Sequence, residues 1–241
     1  MVAQARSLPG FYEPFSALSH LLGALAFSVL AVLLVRRGQG DARRVLFLSI
    51  FAATSILLLS MSGVFHMLEE GSTGRNVLGR LDKAAIFALI AGTHTPVQGL
   101  FFRGVARWGV LGLMWLVAAT GITMFSVFYD SLPRGLGTTV YLVMGWIAGV
   151  AGIVVWRRQG TSRVWLLILG GVVYSVGAIF LGLEWPTIWP GTLGPHELWH
   201  VAVLTAMGLH WKFVFENARQ PMDEEDEPAR RSEREPQSPR A

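Results

Sequence analysis

Two histidines four residues apart, His196 and His200, stand at the start of an apolar segment near the end of the chain. Side chains at positions i and i+4 lie on one face of a helix, which is how helical metal sites are built. Ionisable side chains at membrane depth are costly and usually mark a function. The pair therefore predicts a metal site, which His66 joins if the topology brings it to the same membrane face.

The composition predicts an all-α integral membrane protein, a seven-transmembrane helix bundle. The chain has 241 residues, of which 52% are hydrophobic and 15% charged, and it has no cysteine for a disulfide or a thiolate metal ligand. About 20 apolar residues span a bilayer, and a continuous span in lipid must be a helix. Seven stretches qualify, at residues 15–35, 45–65, 84–102, 108–128, 136–156, 164–183 and 197–215.

The domain organisation follows from these spans. Residues 1–14 are expected to form a short N-terminal segment, and residues 15–216 the transmembrane domain. Residues 217–241 are rich in Glu, Asp, Arg, Pro and Ser, a composition that cannot form a packed core. We expect this tail to be disordered, and an interaction role for it is the less favoured alternative.

The distribution of basic residues predicts orientation in the cell membrane. An odd number of spans puts the two termini on opposite sides, and the N-terminal side carries five Lys and Arg residues against eleven opposite. Basic loops favour the cytoplasm, so the N-terminus is expected outside and the C-terminus in the cytoplasm. The basic residues lie in short loops without a nucleic-acid motif, and no nucleic-acid partner is expected.

The order of the spans brings scattered polar residues to the N-terminal membrane face. The first span begins there, the second ends there, and the third and seventh begin there. Their polar residues at this face are Glu13, Ser16, His20, Ser62, His66, Asp82, His196, Glu197 and His200. A helix bundle can bring these side chains into one cluster.

The chemistry predicted for this cluster is that of an open zinc site. Three neutral imidazoles, from His66, His196 and His200, suit zinc, and a fourth position left for water is typical of catalytic sites. Asp82 is the candidate proton acceptor or water-mediated ligand, and Ser62 the group that orients water or a substrate oxygen. Two alternatives stay open, that Asp82 is the N-cap of the third helix and that Ser62 only packs between helices.

Other polar residues receive lesser roles. His20 has the right depth for a position behind the metal ligands, and Glu13 is expected to form a local hydrogen bond or to pair with a loop arginine. His94 lies about 18 Å beyond Asp82, and His210 about 15 Å beyond His200, at the helical rise of ~1.5 Å per residue. We expect these two histidines to be packing or hydrogen-bonding residues outside the site.

The segment 196–200 also matches the HExxH pattern of zinc metalloproteases, with Glu197 as general base. An intramembrane metalloprotease normally places this helix early and takes an aspartate from a later span. In this chain the pattern lies in the last span and Asp82 precedes it, so protease activity is the less favoured alternative.

Four ordered motifs resemble the hemolysin III branch of the adiponectin and progestin receptor family. They are Glu13-x-x-Ser16-x-x-x-His20, Ser62-x-x-x-His66, Leu81-Asp82-Lys-Ala-Ala-Ile-Phe-Ala-Leu-Ile-Ala-Gly-Thr-His94-Thr-Pro96, and His196-Glu-Leu-Trp-His200. The family often has Asn where this chain has Ser16. The resemblance implies a seven-helix fold, zinc held by the equivalents of His66, His196 and His200, and Asp82 and Ser62 beside the metal. It also implies kinship with alkaline ceramidases, which hydrolyse lipid amides.

Three functions are compatible with these patterns. The favoured one is a zinc-dependent hydrolase of an amide or ester bond in a membrane lipid. The second is a non-enzymatic, receptor-like regulator of membrane lipids whose cavity binds a lipid or fatty acid intact, and the third is a cytolytic pore. The sequence indicates the lipid bilayer as surroundings, but neither the substrate nor the oligomeric state.

Overall fold

The computed structural model describes residues 8–133, 135–160 and 164–220, without the side chain of Gln159. Within these ranges the chain forms seven α-helices and a short 3-10 turn, Tyr129–Ser131. The described part of the chain has no strand, only two isolated β-bridges. The helices are α1 Pro14–Arg36, α2 Ala42–Met67, α3 Thr73–Phe101, α4 Gly104–Val127, α5 Leu136–Gln159, α6 Trp165–Gly182 and α7 Pro195–Asn217.

All seven helices are long and apolar enough to cross a membrane, which confirms the predicted fold class. Large apolar side chains such as Leu22, Leu25 and Leu116 are more than half exposed. Exposed apolar faces on several helices are typical of surfaces that contact lipid rather than water. The protein is therefore a multi-pass membrane protein.

The start of α3 differs from the sequence prediction. We expected this helix from about Asp82 or Ala84, but it begins at Thr73, where the Ser72 side chain accepts a hydrogen bond from the Arg75 backbone N–H at 3.2 Å. The first turns of α3 are polar, so apolar composition did not reveal them. Asp82 is therefore an interior helical residue, and the alternative that it is the N-cap of the third helix is wrong.

The centre of the bundle is α3, which packs against α2, α4, α5 and α7. In its most apolar part 83% of the residues are buried, compared with 28% in α1. Small residues let the helices approach closely, as is usual between helices in lipid. A Cβ atom on Gly92 would collide with Thr54 of α2, and one on Gly177 of α6 would lie 2.5 Å from the Ala202 Cβ of α7. The helix α7 also packs against α1, so the first and last helices are neighbours.

Both ends of the described chain are attached to the bundle. The Tyr12 and Glu13 backbone N–H groups donate to the Met67 and His66 carbonyls at 3.2 and 3.0 Å. At the opposite membrane face, α7 ends at Asn217, and the Arg44 Nη2 atom of α2 donates to the Gln220 carbonyl at 2.9 Å. The predicted disordered tail, 217–241, lies from residue 221 onwards outside the described residues and stays a prediction.

Candidate metal centre

Two helix ends position the three histidines. His66 occupies the last turn of α2, while His196 and His200 occupy the first two turns of α7. Pro195 lies in the first turn of α7, where a proline does not break a helical hydrogen bond. Because α2 ends on the membrane face where α7 begins, the three side chains meet there.

The three imidazoles converge through their Nε2 atoms. The Nε2 atom of His196 lies 3.4 Å from that of His66 and 3.1 Å from that of His200. One ligand atom from each of the three histidines lies within 4.8 Å of the others. Two ligands of a tetrahedral zinc with Zn–N bonds near 2.0–2.1 Å would be about 3.3 Å apart. The observed distances fit this value, so the triad could hold a metal ion.

A carboxylate behind His66 fixes the orientation of its ring. The His66 Nδ1 atom bonds the Glu13 Oε2 atom, which leaves Nε2 for a metal, and this arrangement is common behind metal-bound histidines. The other oxygen of Glu13 accepts from the Arg75 Nη2 atom at 2.8 Å. Burial raises the pKa of Glu13, but the hydrogen bond from His66 and the charges of His66 and Arg75 outweigh it and lower the pKa to about 2. The expected arginine partner of Glu13 thus lies on α3 rather than in a loop.

Asp82 and Ser62 lie beside the triad and line the same cavity. Ser62 is buried one helical turn before His66, and Asp82 interacts electrostatically with both Ser62 and His66. Asp82 is not among the described side chains whose ligand atoms converge within 4.8 Å. Its position therefore fits a group that acts through a water molecule better than a direct ligand.

His20 contacts the triad from α1. Its ring centroid lies 3.9 Å from that of His200, and the residue is only 3% exposed. Neither ring nitrogen of His20 has a hydrogen-bond partner among the described residues. His20 is thus packed against a candidate ligand, at the depth that the sequence predicted.

The hydrogen bonds of Glu197 do not fit the general base of a metalloprotease. Its Oε2 atom accepts a hydrogen bond from the Gly194 backbone N–H at 2.9 Å, and its Oε1 atom accepts one from the Ser16 hydroxyl at 3.5 Å. Glu197 does not line the cavity that the histidines share. The glutamate of the HExxH pattern therefore caps the start of α7, which disfavours the metalloprotease alternative.

A large cavity extends from the triad into the bundle. Its volume is about 640 Å³, and its lining includes apolar residues such as Ile90, Trp146 and Val203. His94 and His210 also line it, and their Nε2 atoms bond the carbonyls of Met144 at 2.9 Å and of Leu167 at 3.1 Å. These two histidines have the hydrogen-bonding role that we expected, but they belong to the wall of the same cavity.

The polar wall of the cavity near Asp82 was not predicted from the sequence. The Lys83 Nζ atom contacts the Tyr129 hydroxyl, and the Tyr141 hydroxyl donates to the Lys83 carbonyl at 2.8 Å. All three residues line the cavity. The sequence feature that could have indicated this wall is Lys83, a charged residue next to Asp82 at the edge of a membrane span. The two tyrosines carried no comparable signal.

Several known proteins are similar to this chain in sequence. Residues 11–211 match the protein family described as Haemolysin-III related. The chain is 31% identical to Hemolysin-3 of Bacillus cereus, over 80% of this chain and 85% of that protein. It is 32% identical to the Hemolysin-3 homolog of Bacillus subtilis (strain 168), over 80% and 87% of the two chains. It is also 25% identical to the Adiponectin receptor protein of Drosophila melanogaster, over 83% of this chain and 49% of that protein.

Proposed function

The chain belongs to the Haemolysin-III related family, and on this premise we propose that it is a zinc-dependent hydrolase of an amide or ester bond in a membrane lipid. The observation that carries the proposal is the convergence of three histidine Nε2 atoms beside Asp82 at one end of the cavity. Metal ligands, a carboxylate and space for a lipid chain are the three parts that such a reaction needs.

His66, His196 and His200 are the proposed zinc ligands. Zinc bound to three histidines acts as a Lewis acid and lowers the pKa of a bound water towards ~7. Glu13 holds the His66 ring in the orientation that presents Nε2, and Arg75 in turn holds Glu13. The contact between His20 and His200 limits rotation of the His200 ring.

Asp82 and Ser62 are the proposed catalytic residues. The Asp82 carboxylate accepts a proton from the attacking water, whose oxygen adds to the carbonyl carbon of the lipid. When the carbon–nitrogen or carbon–oxygen bond breaks, Asp82 returns that proton to the leaving nitrogen or oxygen. The Ser62 hydroxyl hydrogen-bonds the substrate oxygen or the water and so fixes the direction of attack.

The cavity provides the proposed binding site for the lipid chain. Its volume of about 640 Å³ lies within the usual 300–1,000 Å³ of small-molecule sites. Its apolar wall suits a lipid or fatty acid chain, with the reacting group held at the triad. In the orientation that the loop charges favour, the site would face the outside of the cell membrane.

The test combines metal analysis with an activity screen. We expect about one zinc per purified chain, and its loss in the double variant His196→Ala, His200→Ala, measured by mass spectrometry. Asp82→Asn should keep the zinc but lose at least ~10²-fold of the turnover of lipid amides or esters, the usual scale for an acid–base group. Glu70→Gln is the matched control, because that carboxylate is exposed, accepts from the Tyr12 hydroxyl and does not line the cavity. Full activity in Asp82→Asn would refute the mechanism.

A receptor-like function without turnover is the second candidate. It is favoured by the similarity to a protein named Adiponectin receptor protein and by a cavity able to hold a lipid intact. Recovery of an unchanged lipid from the zinc-loaded protein after long incubation would support it against hydrolysis. Leakage from liposomes containing the purified protein would instead support a cytolytic function of the kind that the name Hemolysin-3 gives to the Bacillus relative.

A further inference from the structure

Two segments of the chain meet at the membrane face opposite the triad. They are residues 36–44, between α1 and α2, and residues 212–220, at the end of α7. The Arg37 guanidinium lies over the Phe215 ring at 4.0 Å, and the Arg44 Nη2 atom donates to the Gln220 carbonyl at 2.9 Å. The last described residue of the chain is thus held against the beginning of α2.

The two segments carry an excess of positive charge. They contain six basic residues and two acidic ones. The acidic residues, Asp41 and Glu216, lie 4.0 and 3.8 Å from Arg44 and Lys212, and such surface pairs are weak. The Nε atom of Arg44 is buried without a hydrogen-bond partner among the described residues. We call the six basic residues the basic face: Arg36, Arg37, Arg43, Arg44, Lys212 and Arg219.

The stretch of chain immediately after Gln220 has the opposite charge, and the first basic residue beyond it is Arg230. Residues 223–227 are Asp-Glu-Glu-Asp-Glu, five consecutive acidic residues with no basic residue between them and Gln220. At no more than 3.3–3.6 Å per residue, Asp223 stays within about 11 Å of Gln220, and Glu227 within about 25 Å. The attachment of Gln220 to Arg44 therefore limits the reach of the acidic run to about 25 Å from this point, and a short tether gives a high effective concentration.

We propose that the acidic run 223–227 binds the basic face of its own chain and competes there with anionic phospholipid head groups. Basic residues next to a membrane attract such head groups, and a nearby acidic segment can compete for them. The excess of four positive charges is nearly balanced by the five negative charges of the run. The proposal does not depend on the proposed hydrolase, because the basic face shares no residue with the triad and lies at the other end of α7.

The absence of cysteine from the sequence makes a direct distance measurement possible. Spin labels are attached to Gln39→Cys, in the exposed turn after α1, and to Ala229→Cys, just beyond the acidic run. The full chain is placed in phosphatidylcholine nanodiscs, and distances are measured by pulsed electron paramagnetic resonance. Salt is varied from about 0.01 M to about 1 M, over which the screening length falls from about 30 Å to about 3 Å.

We expect a population with a short distance at low salt that falls about fivefold at high salt, because several weak ion pairs act together. Replacing the five acidic residues by their amides should remove it, as should the double variant Arg37→Gln, Arg44→Gln. The charge-matched control is Arg157→Gln with Arg158→Gln at the end of α5, which should retain it. Adding phosphatidylglycerol should reduce the population in the parent chain.

Two results would overturn the proposal. The first is a short-distance population that persists in the amide variant. A control at the end of α5 that removes this population as fully as the basic-face variant does would have the same meaning, since the ion pairs would then not be those of the basic face. The second is a long distance between the labels at residues 39 and 229 at low salt in phosphatidylcholine. In that case the basic face would also bind phosphatidylglycerol equally in the parent and the amide variant. That result would assign the basic face to lipid head groups alone.

Discussion

Replacing Glu13 by Gln tests how the carboxylate behind His66 contributes to metal binding. Glu13 bonds the His66 Nδ1 atom and also pairs with Arg75 at 2.8 Å. Since the pKa of Glu13 is about 2, the carboxylate is ionised at every pH suited to a metal titration. The substitution therefore removes one full negative charge while keeping the length of the side chain and a carbonyl oxygen that can accept from His66.

The expected loss follows from the difference between a charged and a neutral acceptor. A hydrogen bond to a charged group contributes about 1.5–3 kcal/mol, and one to a neutral group about 0.5–1.5 kcal/mol. The midpoints of these ranges differ by about 1.25 kcal/mol, which is close to the value of about 1.4 kcal/mol for a tenfold change in an equilibrium constant. Arg75 should stay in place, because its guanidinium also lies over the Tyr12 and Phe65 rings at 4.9 and 4.7 Å. We predict a zinc Kd about tenfold higher, at the lower end of the range for such supporting residues.

The assay is a competition titration of the metal-free protein in detergent against a zinc chelator. Glu70→Gln is the matched control, because Glu70 is an exposed carboxylate at the same membrane face that accepts from the Tyr12 hydroxyl at 2.7 Å. The control should leave the zinc Kd unchanged. A Kd for Glu13→Gln within twofold of the parent, or an equal loss in the control, would refute the reasoning.

Three further predictions concern packing, the cavity and orientation. Gly92→Ala should reduce the free energy of unfolding by about 1–3 kcal/mol, because the added methyl group collides with α2. Gly112→Ala is the control, because its methyl group meets open space, and equal thermal unfolding midpoints for the two variants would contradict the prediction. Gly171→Leu should fill part of the cavity and reduce the lipid that native mass spectrometry detects on the purified protein, and Gly112→Leu should not. In intact cells a membrane-impermeant maleimide should label a cysteine at Glu70 but not one at Gln39, and the reverse pattern would invert the proposed orientation.

The sequence was sufficient to predict the seven helices and the convergence of the histidines. Apolar length alone decides whether a helix spans a membrane, and span order alone places His66 on the face where α7 begins. The start of α3 could not be predicted in this way, because four of the eleven residues 73–83 are charged and only the Ser72 cap marks the beginning of the helix.

The partners of the carboxylates were harder to predict than the positions of the ligands. Glu197 matches a protease motif in sequence, yet its carboxylate accepts from the Gly194 backbone. Glu13 could have had several arginine partners, and only the extended α3 brings Arg75 to it. Such pairings depend on side-chain directions and helix rotation, which the spacing of residues along a span does not determine. The roles of the individual site residues stay predictions.

The separation of the histidines along the chain has a consequence for biosynthesis. His66 and His196 are 130 residues apart, and α7 closes the bundle against α1. During synthesis the ligand set is incomplete until the last helix has entered the membrane, so a chain that stops after α6 holds one histidine of three. A metal ion bound by all three would join an early helix to the last one and would report that insertion of the whole bundle is complete. Metal content would then be a measure of assembly.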